Sequence, residues 1–292
     1  MGKIFNKLFS SGDWQVALFD KGNIQEVKNP SGYWLADPFI VKKDNIIYLF
    51  AEAFEKKKEL GRIGFFSSND NYSNMTILLE KKYHLSFPNV FMLNGKYYMI
   101  PESSENTTID LYCFEEFPND LQFVATILKG DYVDTSIIKI FENSITVASY
   151  NNRAKKLIFL SFDLITMECK ILNEINDELL VLRPAGNAFE YNKMILMPFQ
   201  NCKEKYGQDI IIKRIELMNE RIEVFDYSLN LLNYLGIPLL AKVDRFHTLN
   251  FINSKCFVVD YMIEKKSLFK PFKMFKRKIR RYFHQKKAKN YE

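Results

Sequence analysis

One two-strand unit recurs five times along this chain, and that repetition constrains the fold more than any other feature. The first copy, DPFIVKKDNIIYLFAEAF from Asp37, places two β-rich runs either side of a Lys-Lys-Asp-Asn turn. The second, FPNVFMLNGKYYMIPESS from Phe87, turns on Asn94-Gly95, the strongest short hairpin signal. The others begin at Asp134 (DTSIIKIFENSITVASYNN), Arg183 (RPAGNAFEYNKMILMPFQN) and Phe246 (FHTLNFINSKCFVVDYM), so successive starts lie 50, 47, 49 and 63 residues apart. Each of the first four copies is followed by a second hairpin-like pair of runs, for example GRIGFFSS with MTILLEKK. Four strands per repeat is the architecture of a propeller blade.

The fifth copy has no second pair, because the chain passes from FVVDYM into a basic tail. The missing strands stand at the other end: WQVALF, an Asp-Lys-Gly-Asn turn and IQEVK, between residues 14 and 27, form a hairpin without inner strands of its own. Pairing the two closes the ring and covers the edges of an open sheet. A β-sandwich also has many short strands, but it does not explain five copies of one unit. The sequence therefore predicts an all-β chain: a leader over 1–13, a five-bladed β-propeller of four-stranded blades over 14–262, its last blade completed by the N-terminal hairpin, and a basic amphipathic helix within a tail at 263–292.

Composition agrees. Hydrophobic residues make up 47% of the 292, enough for a sizeable core, and 26 Phe with 16 Tyr suit pleated, half-buried surfaces. The net charge of +6 is uneven: residues 265–292 hold twelve Lys/Arg against Glu292 alone, which leaves the preceding 264 residues with 29 basic and 34 acidic side chains. A body of net negative charge argues against nucleic-acid binding. Cys113, Cys169, Cys202 and Cys256 form no C-x-x-C pair, so neither a zinc ribbon nor a redox motif is expected. The N-terminus shows no apolar run of signal-peptide length, and the expected compartment is the cytoplasm.

The first strand of a propeller blade lines the central channel, so the residues heading the five copies should converge: Asp37, Ser86, Asp134, Arg183 and His247. Glu52 and Glu102 both stand fifteen residues into their copies, on second strands, with Gln200 and Asp260 at similar places. Each has a bland reading as well. Asp37 and Asp134 can cap backbone amides, Arg183 can neutralise them, and His247 can be a satisfied interior histidine. Convergence favours function, since several charges in one channel are costly unless they form a network or meet a polar ligand.

The phrases W-x-A-D-P-F (Trp34 to Phe39), H-L-S-F-P (His84 to Pro88), M-I-P-E (Met99 to Glu102), R-P-A-G (Arg183 to Gly186), Q-x-C-x-x-x-Y-G (Gln200 to Gly207) and H-T-L-N (His247 to Asn250) resemble one group. It is the five-bladed propeller domain that forms the N-terminal part of plant glucosamine inositolphosphorylceramide transferases and that in bacteria occurs among surface-polysaccharide genes. The resemblance spans roughly residues 14–262. More distantly it is similar to family 43-type glycoside hydrolases, in which a first-blade Asp is the base, a third-blade Asp tunes pKa and a fourth-blade Glu is the acid. Asp37 and Asp134 match the first two positions; the third is Arg183, which cannot donate the proton that inverting hydrolysis needs.

The resemblance thus implies a carbohydrate-active protein of surface-glycan biosynthesis, with glycosyl transfer from an activated or phosphorylated sugar as the first reading. Family 43-type hydrolysis and a non-catalytic glycan-binding scaffold are the alternatives. Asp37, Asp134 and Glu102 are the candidate catalytic carboxylates; Arg183, His247, His84, Gln200, Glu52 and Tyr206 are candidate substrate contacts. An Arg and a His suit phosphate or carboxylate groups. No metal or cofactor is expected. A sugar nucleotide or lipid-linked glycan is the expected substrate, and other polysaccharide-biosynthesis enzymes are expected partners.

In the tail, Leu268, Phe272, Phe275, Ile279 and Tyr282 recur three or four residues apart among cations. A basic helix with such a stripe lies on anionic bilayers. Residues 265–292 are therefore expected to hold the chain peripherally at the inner face of the membrane, with a solvated or RNA-binding tail as the alternative.

Overall fold

The computed structural model describes residues 10–218, 221–229, 234–236 and 243–266; the C-terminal helix expected in the tail lies outside these residues. Five antiparallel sheets form the predicted five-bladed β-propeller. Blade I runs Tyr33–Lys43, Ile46–Glu55, Leu60–Ser67 and Thr76–Leu79 from the channel outward. Blade II is Ser86–Leu93, Lys96–Ser103, Thr108–Glu116 and Asn119–Lys129; blade III is Tyr132–Phe141, Ser144–Asn151, Lys156–Asp163 and Cys169–Asn176. Blade V joins Leu249–Asn253 and Cys256–Tyr261 to the N-terminal strands Gln15–Asp20 and Asn23–Val27, with Gln15 opposite Tyr261 and Asp20 opposite Cys256. The ring therefore closes as the incomplete fifth copy requires.

Turn chemistry sets the hairpins. Asp44-Asn45, Asn94-Gly95, Asn192-Lys193 and Lys21-Gly22 each place two successive residues at positive φ, the geometry whose twist matches flanking strands. Packing occurs between blades. Phe50 and Ile63 of blade I meet Val90, Met99 and Tyr112 of blade II. Val16, Leu18 and Val258 of blade V meet Leu35, Leu49 and Ala51 of blade I, so the seam that closes the ring is as apolar as the others.

Blade IV departs from the repeat. Its channel strand is split into Arg183–Pro184 and Phe189–Tyr191, both paired with Met194–Asn201, beyond which lie Asp209–Met218 and Arg221–Asp226. Gly186 is the reason: it adopts φ +146, and a Cβ there would lie 2.1 Å from the Leu249 carbonyl oxygen of blade V. This close approach carries Asn187 across the channel. Its Oδ1 accepts from Ile137 N–H of blade III at 2.7 Å, its Nδ2 donates to Asn89 Oδ1 of blade II at 3.0 Å, and its backbone N–H donates to Asn250 Oδ1 of blade V at 2.9 Å. Asn250 Nδ2 donates in turn to Pro38 O of blade I at 2.9 Å, and Asn89 Nδ2 to Thr135 O at 2.9 Å. Three asparagines thus tie all five blades together.

Candidate functional site

A repeated bulge presents the blade heads to the channel. The strand register shifts between Ala36 and Phe39, Ser86 and Asn89, and Val133 and Ser136, and the bulged residues Asp37, Phe87 and Asp134 take φ of 49°, 45° and 53°. Bulges re-aim side chains, and Asp tolerates this backbone region better than most residues. Phe87 is buried and meets Phe39 edge-on at 4.9 Å, so blade II uses the bulge for packing where blades I and III use it for carboxylates.

The second-strand residues stand beside the heads, as their equal spacing predicts: Glu52 pairs with Ala36, Glu102 with Ser86, and Gln200 with Arg183. Together they line or support one cavity of about 190 Å³. Its wall includes Asp37, Glu52, His84, Glu102, Arg183, Tyr206 and His247. The two remaining candidates, Asp134 and Gln200, stand behind Arg183: Asp134 Oδ2 accepts from the guanidinium Nε and from Gln200 Nε2, the latter at 3.0 Å. Gln200 also donates to Pro184 O at 3.0 Å. The Arg183 Nη2 lies 3.9 Å from Glu102 Oε2, and the guanidinium rests on the Tyr206 ring, 5.1 Å from its centroid.

Blades I and V build a second cluster. Asp260, fully buried, accepts His247 Nδ1–H at 2.7 Å and Asp37 N–H at 2.9 Å on one oxygen, and the backbone N–H groups of His247 and Thr248 at 3.1 and 2.9 Å on the other. Thr248 Oγ1 donates to Asp37 Oδ1 at 2.8 Å, and His247 Nε2 lies 3.7 Å from the same oxygen. The imidazole is sandwiched by Trp14, stacked at 4.0 Å, and by the edge of Tyr206 at 5.2 Å.

The third cluster stands at the side of blade I. His84 Nε2 lies 3.2 Å from Glu52 Oε1, and its Nδ1 accepts the Gly61 N–H at 3.1 Å. Gly61 has no substitute here, since a Cβ would lie 2.4 Å from Leu85 O and 2.8 Å from Glu52 Oε1.

Crowding and burial set the protonation of the site. Burial pushes the Asp37 carboxyl up to about 7, with His247 opposing and the carboxylates of Glu52, Asp260 and Asp134 adding to the rise. Burial likewise lifts Glu102 to about 8; the Asp134 charge adds and Arg183 opposes. Burial opposes the charged form of His247, but Asp260 and Asp37 outweigh it and hold the imidazole at about 9. His84 rises to about 9 against its burial through its hydrogen bond to Glu52, although the Gly61 N–H favours an unprotonated Nδ1. Burial thus favours the protonated form of Glu102 beside a permanent cation, while the Asp134 N–H and the Ser104 hydroxyl donate to its two oxygens at 3.3 and 3.2 Å.

Asp37, His247 and Asp260 offer ligand atoms within 4.8 Å of one another. An ion on either Asp260 oxygen would compete with the two hydrogen bonds that oxygen already accepts, from His247 Nδ1–H and Asp37 N–H on one and from the backbone N–H groups of His247 and Thr248 on the other. Sequence reasoning overlooked the aromatic wall formed by Trp14, Trp34 and Phe54. Trp34 opens the phrase that contains Asp37, which was a usable signal; Trp14 reaches the site only because the N-terminal hairpin closes blade V.

Comparisons with known proteins agree with the propeller fold and show the chain's family. Residues 10–231 match the family profile described as glucosamine inositolphosphorylceramide transferase 1, N-terminal. The chain is 31% identical over 224 residues to glucosamine inositolphosphorylceramide transferase 1 of Arabidopsis thaliana, a match covering 72% of this chain and 29% of that protein. The protein of that name from Oryza sativa subsp. japonica is 26% identical over 226 residues, covering 72% and 30%. The chain thus spans under a third of the length of these relatives.

Among solved structures, a family 43 β-xylosidase/α-arabinofuranosidase from a compost metagenome superposes with a TM-score of 0.52 at 14% identity, covering 76% of this chain and 86% of that one. An exo-β-1,3-galactanase from Phanerochaete chrysosporium gives 0.57 at 11% identity, covering 90% and 64%. At such identity these likenesses show the propeller fold alone. The match over residues 10–231 shows more: this chain belongs to the family of the N-terminal domain of glucosamine inositolphosphorylceramide transferase 1.

Proposed function

We propose that the cavity binds one sugar residue carrying a phosphate or carboxylate group, and that the protein acts in glycosyl transfer during surface-glycan assembly. The observation that carries this reading is Arg183: Asp134, itself held by Gln200, fixes it from behind, while its Nη2 side meets Glu102, whose carboxyl is raised by burial. That leaves guanidinium donors for an oxyanion. Trp14, Trp34 and Tyr206 supply apolar faces of the kind a sugar ring packs on. At about 190 Å³ the space is smaller than the ~300–1,000 Å³ of sites for drug-sized ligands, so a sugar nucleotide would enter with its glycosyl end only.

In this reading Glu102 donates its proton to the departing oxygen, Asp37 takes the proton of the incoming hydroxyl, and Asp134 is a positioning residue for Arg183. The chain sits peripherally at an anionic membrane on the cytoplasmic side, held by residues 265–292, beside other enzymes of the same assembly. Titration calorimetry of the full chain with a hexose 1-phosphate and with the neutral methyl hexoside tests it. The phosphate should bind at least about tenfold more tightly, and Arg183→Gln should remove the difference, in keeping with the worth of a charged hydrogen bond. Equal binding of both ligands, unaffected by Arg183→Gln, would overturn the reading.

Glu102 also favours a second reading, hydrolysis, because burial raises its carboxyl toward the protonated form in the same cavity as Asp37. Release of nitrophenol from aryl glycosides, lost in Glu102→Gln, would select it. Saturable sugar binding without turnover of any donor would instead leave a glycan-binding module.

A further inference from the structure

The ends of the described residues, Ser10 and Lys266, lie on the face that carries the cavity mouth. Ser10–Ser11 pairs antiparallel with Lys265–Lys266, Ser10 opposite Lys266 and Ser11 opposite Lys265. Immediately inside this pair, Gly12 packs so closely that a Cβ would lie 2.7 Å from Ile263 O, and two residues later Trp14 enters the cavity wall. On the other strand, Glu264 is held by an ion pair with Arg245 and lies 3.5 Å from Lys205, and its N–H donates to Asp244 Oδ2 at 2.8 Å. Arg245 Nη1 donates to the backbone carbonyl of Tyr206 at 3.2 Å, and the Tyr206 ring belongs to the same wall. The last paired residue is therefore anchored to the cavity's edge through two short contact chains.

The apolar stripe of the basic tail begins at Leu268, two residues beyond Lys266. Two residues reach at most about 7 Å in any conformation. The opposite face, where the turn after Tyr33–Lys43 lies, is separated from the mouth by the length of that 11-residue strand, about 30 Å at ~3.3 Å per residue. A surface that receives Leu268, where the stripe begins, must therefore adjoin the mouth. Leu179 and Ile263, 63% and 42% exposed, and the adjacent exposed lysines Lys56, Lys57 and Lys58 belong to connections on this same face.

We infer that the cavity opens toward an anionic bilayer, with the mouth at the headgroup layer and the opposite face turned away. The inference rests on the membrane reading of residues 265–292 and adds an orientation that this reading alone does not supply. The alternation of apolar stripe and cations favours a bilayer over RNA, which would be met by the cations without needing the stripe.

The protein's two tryptophans, Trp14 and Trp34, both line the cavity, so its intrinsic emission reports the mouth. Full-length protein would be mixed with phosphatidylcholine vesicles with and without phosphatidylglycerol, each also prepared with headgroup-spin-labelled lipid. Cosedimentation with the anionic vesicles, together with loss of about half the tryptophan emission there, is the expected result; the quenching is short-ranged and fades over roughly the thickness of a headgroup layer. Phe141→Trp, on the opposite face where Phe141 is 61% exposed, should add emission that the spin label does not quench. Cosedimentation with unquenched Trp14 and Trp34, or with quenching of the added tryptophan instead, would overturn the orientation while leaving the anchor in place. Absence of cosedimentation, with or without binding of an RNA oligomer, would overturn the anchor and the orientation with it.

Discussion

Asp260 grips His247 at both ends, taking the ring Nδ1–H at 2.7 Å on one carboxylate oxygen and the backbone N–H at 3.1 Å on the other. The first contact fixes which ring nitrogen faces the cavity, because Nδ1 is committed and Nε2 is left 3.7 Å from Asp37. Asp260→Asn removes the charge that keeps a buried imidazolium stable. The expected loss is about 3–5 kcal/mol of unfolding free energy, the cost of breaking a buried pair from one side. Urea unfolding reads the loss, and NMR titration should show the His247 pKa falling from about 9. A change below about 1 kcal/mol, as for exposed pairs, would contradict the assignment.

Asn187 tests how the five blades hold together. Asn187→Ala leaves Ile137 N–H, Asn89 Oδ1 and one Asn89 Nδ2–H without partners in a buried channel, while the other Nδ2–H keeps Thr135 O. Each orphaned group should cost about 1–3 kcal/mol, so the melting temperature should fall by several degrees. A variant that melts like the wild type would show that the asparagine belt does not carry the ring.

The protonation of the site predicts the direction of the pH dependence of stability. Asp37 and Glu102 have folded-state values of about 7 and 8, above their ordinary 3.8 and 4.5, and His247 stands at about 9 rather than 6.5. In all three the folded state holds the proton more tightly, so between about pH 4 and 9 it binds more protons than the unfolded chain. Stability must then fall as pH rises across that window. Thermal melts from pH 5 to 9 should show a declining midpoint, with a shallower slope in Glu102→Gln; a midpoint that rises with pH would contradict this.

Gly61 makes the third cluster sensitive to one methyl group. Gly61→Ala brings a Cβ against Leu85 O and displaces Glu52 or His84. Overpacking of this kind costs about 1–3 kcal/mol. Because both displaced side chains line the cavity, calorimetry should also show weaker sugar-phosphate binding in a protein that remains folded. Wild-type affinity in this variant would remove His84 and Glu52 from the binding surface.

The repeat made the ring, its closure by the N-terminal hairpin and the convergence of Asp37, Arg183 and His247 legible before any coordinate, because strand period and turn chemistry are local properties. The equivalence of Glu52 and Glu102 followed from equal spacing and appears as equal register, Ala36 to Glu52 and Ser86 to Glu102. What escaped was contact across the channel. Asn89, Asn187 and Asn250 each follow a blade head by two to four residues, in F-P-N, A-G-N and T-L-N, yet their partners lie on other blades. The placement of Asp134 and Gln200 behind Arg183, and of Trp14 in the wall, likewise depends on distances that no single strand encodes.

The most direct test of the cavity's role is a crystal structure of the full chain grown with a hexose 1-phosphate at saturating concentration. The sugar ring should lie against Trp14 or Trp34, with phosphate oxygens within hydrogen-bond reach of the Arg183 guanidinium. An empty cavity at that concentration, or a phosphate bound elsewhere with Arg183 still enclosed by its carboxylates, would contradict the proposed site.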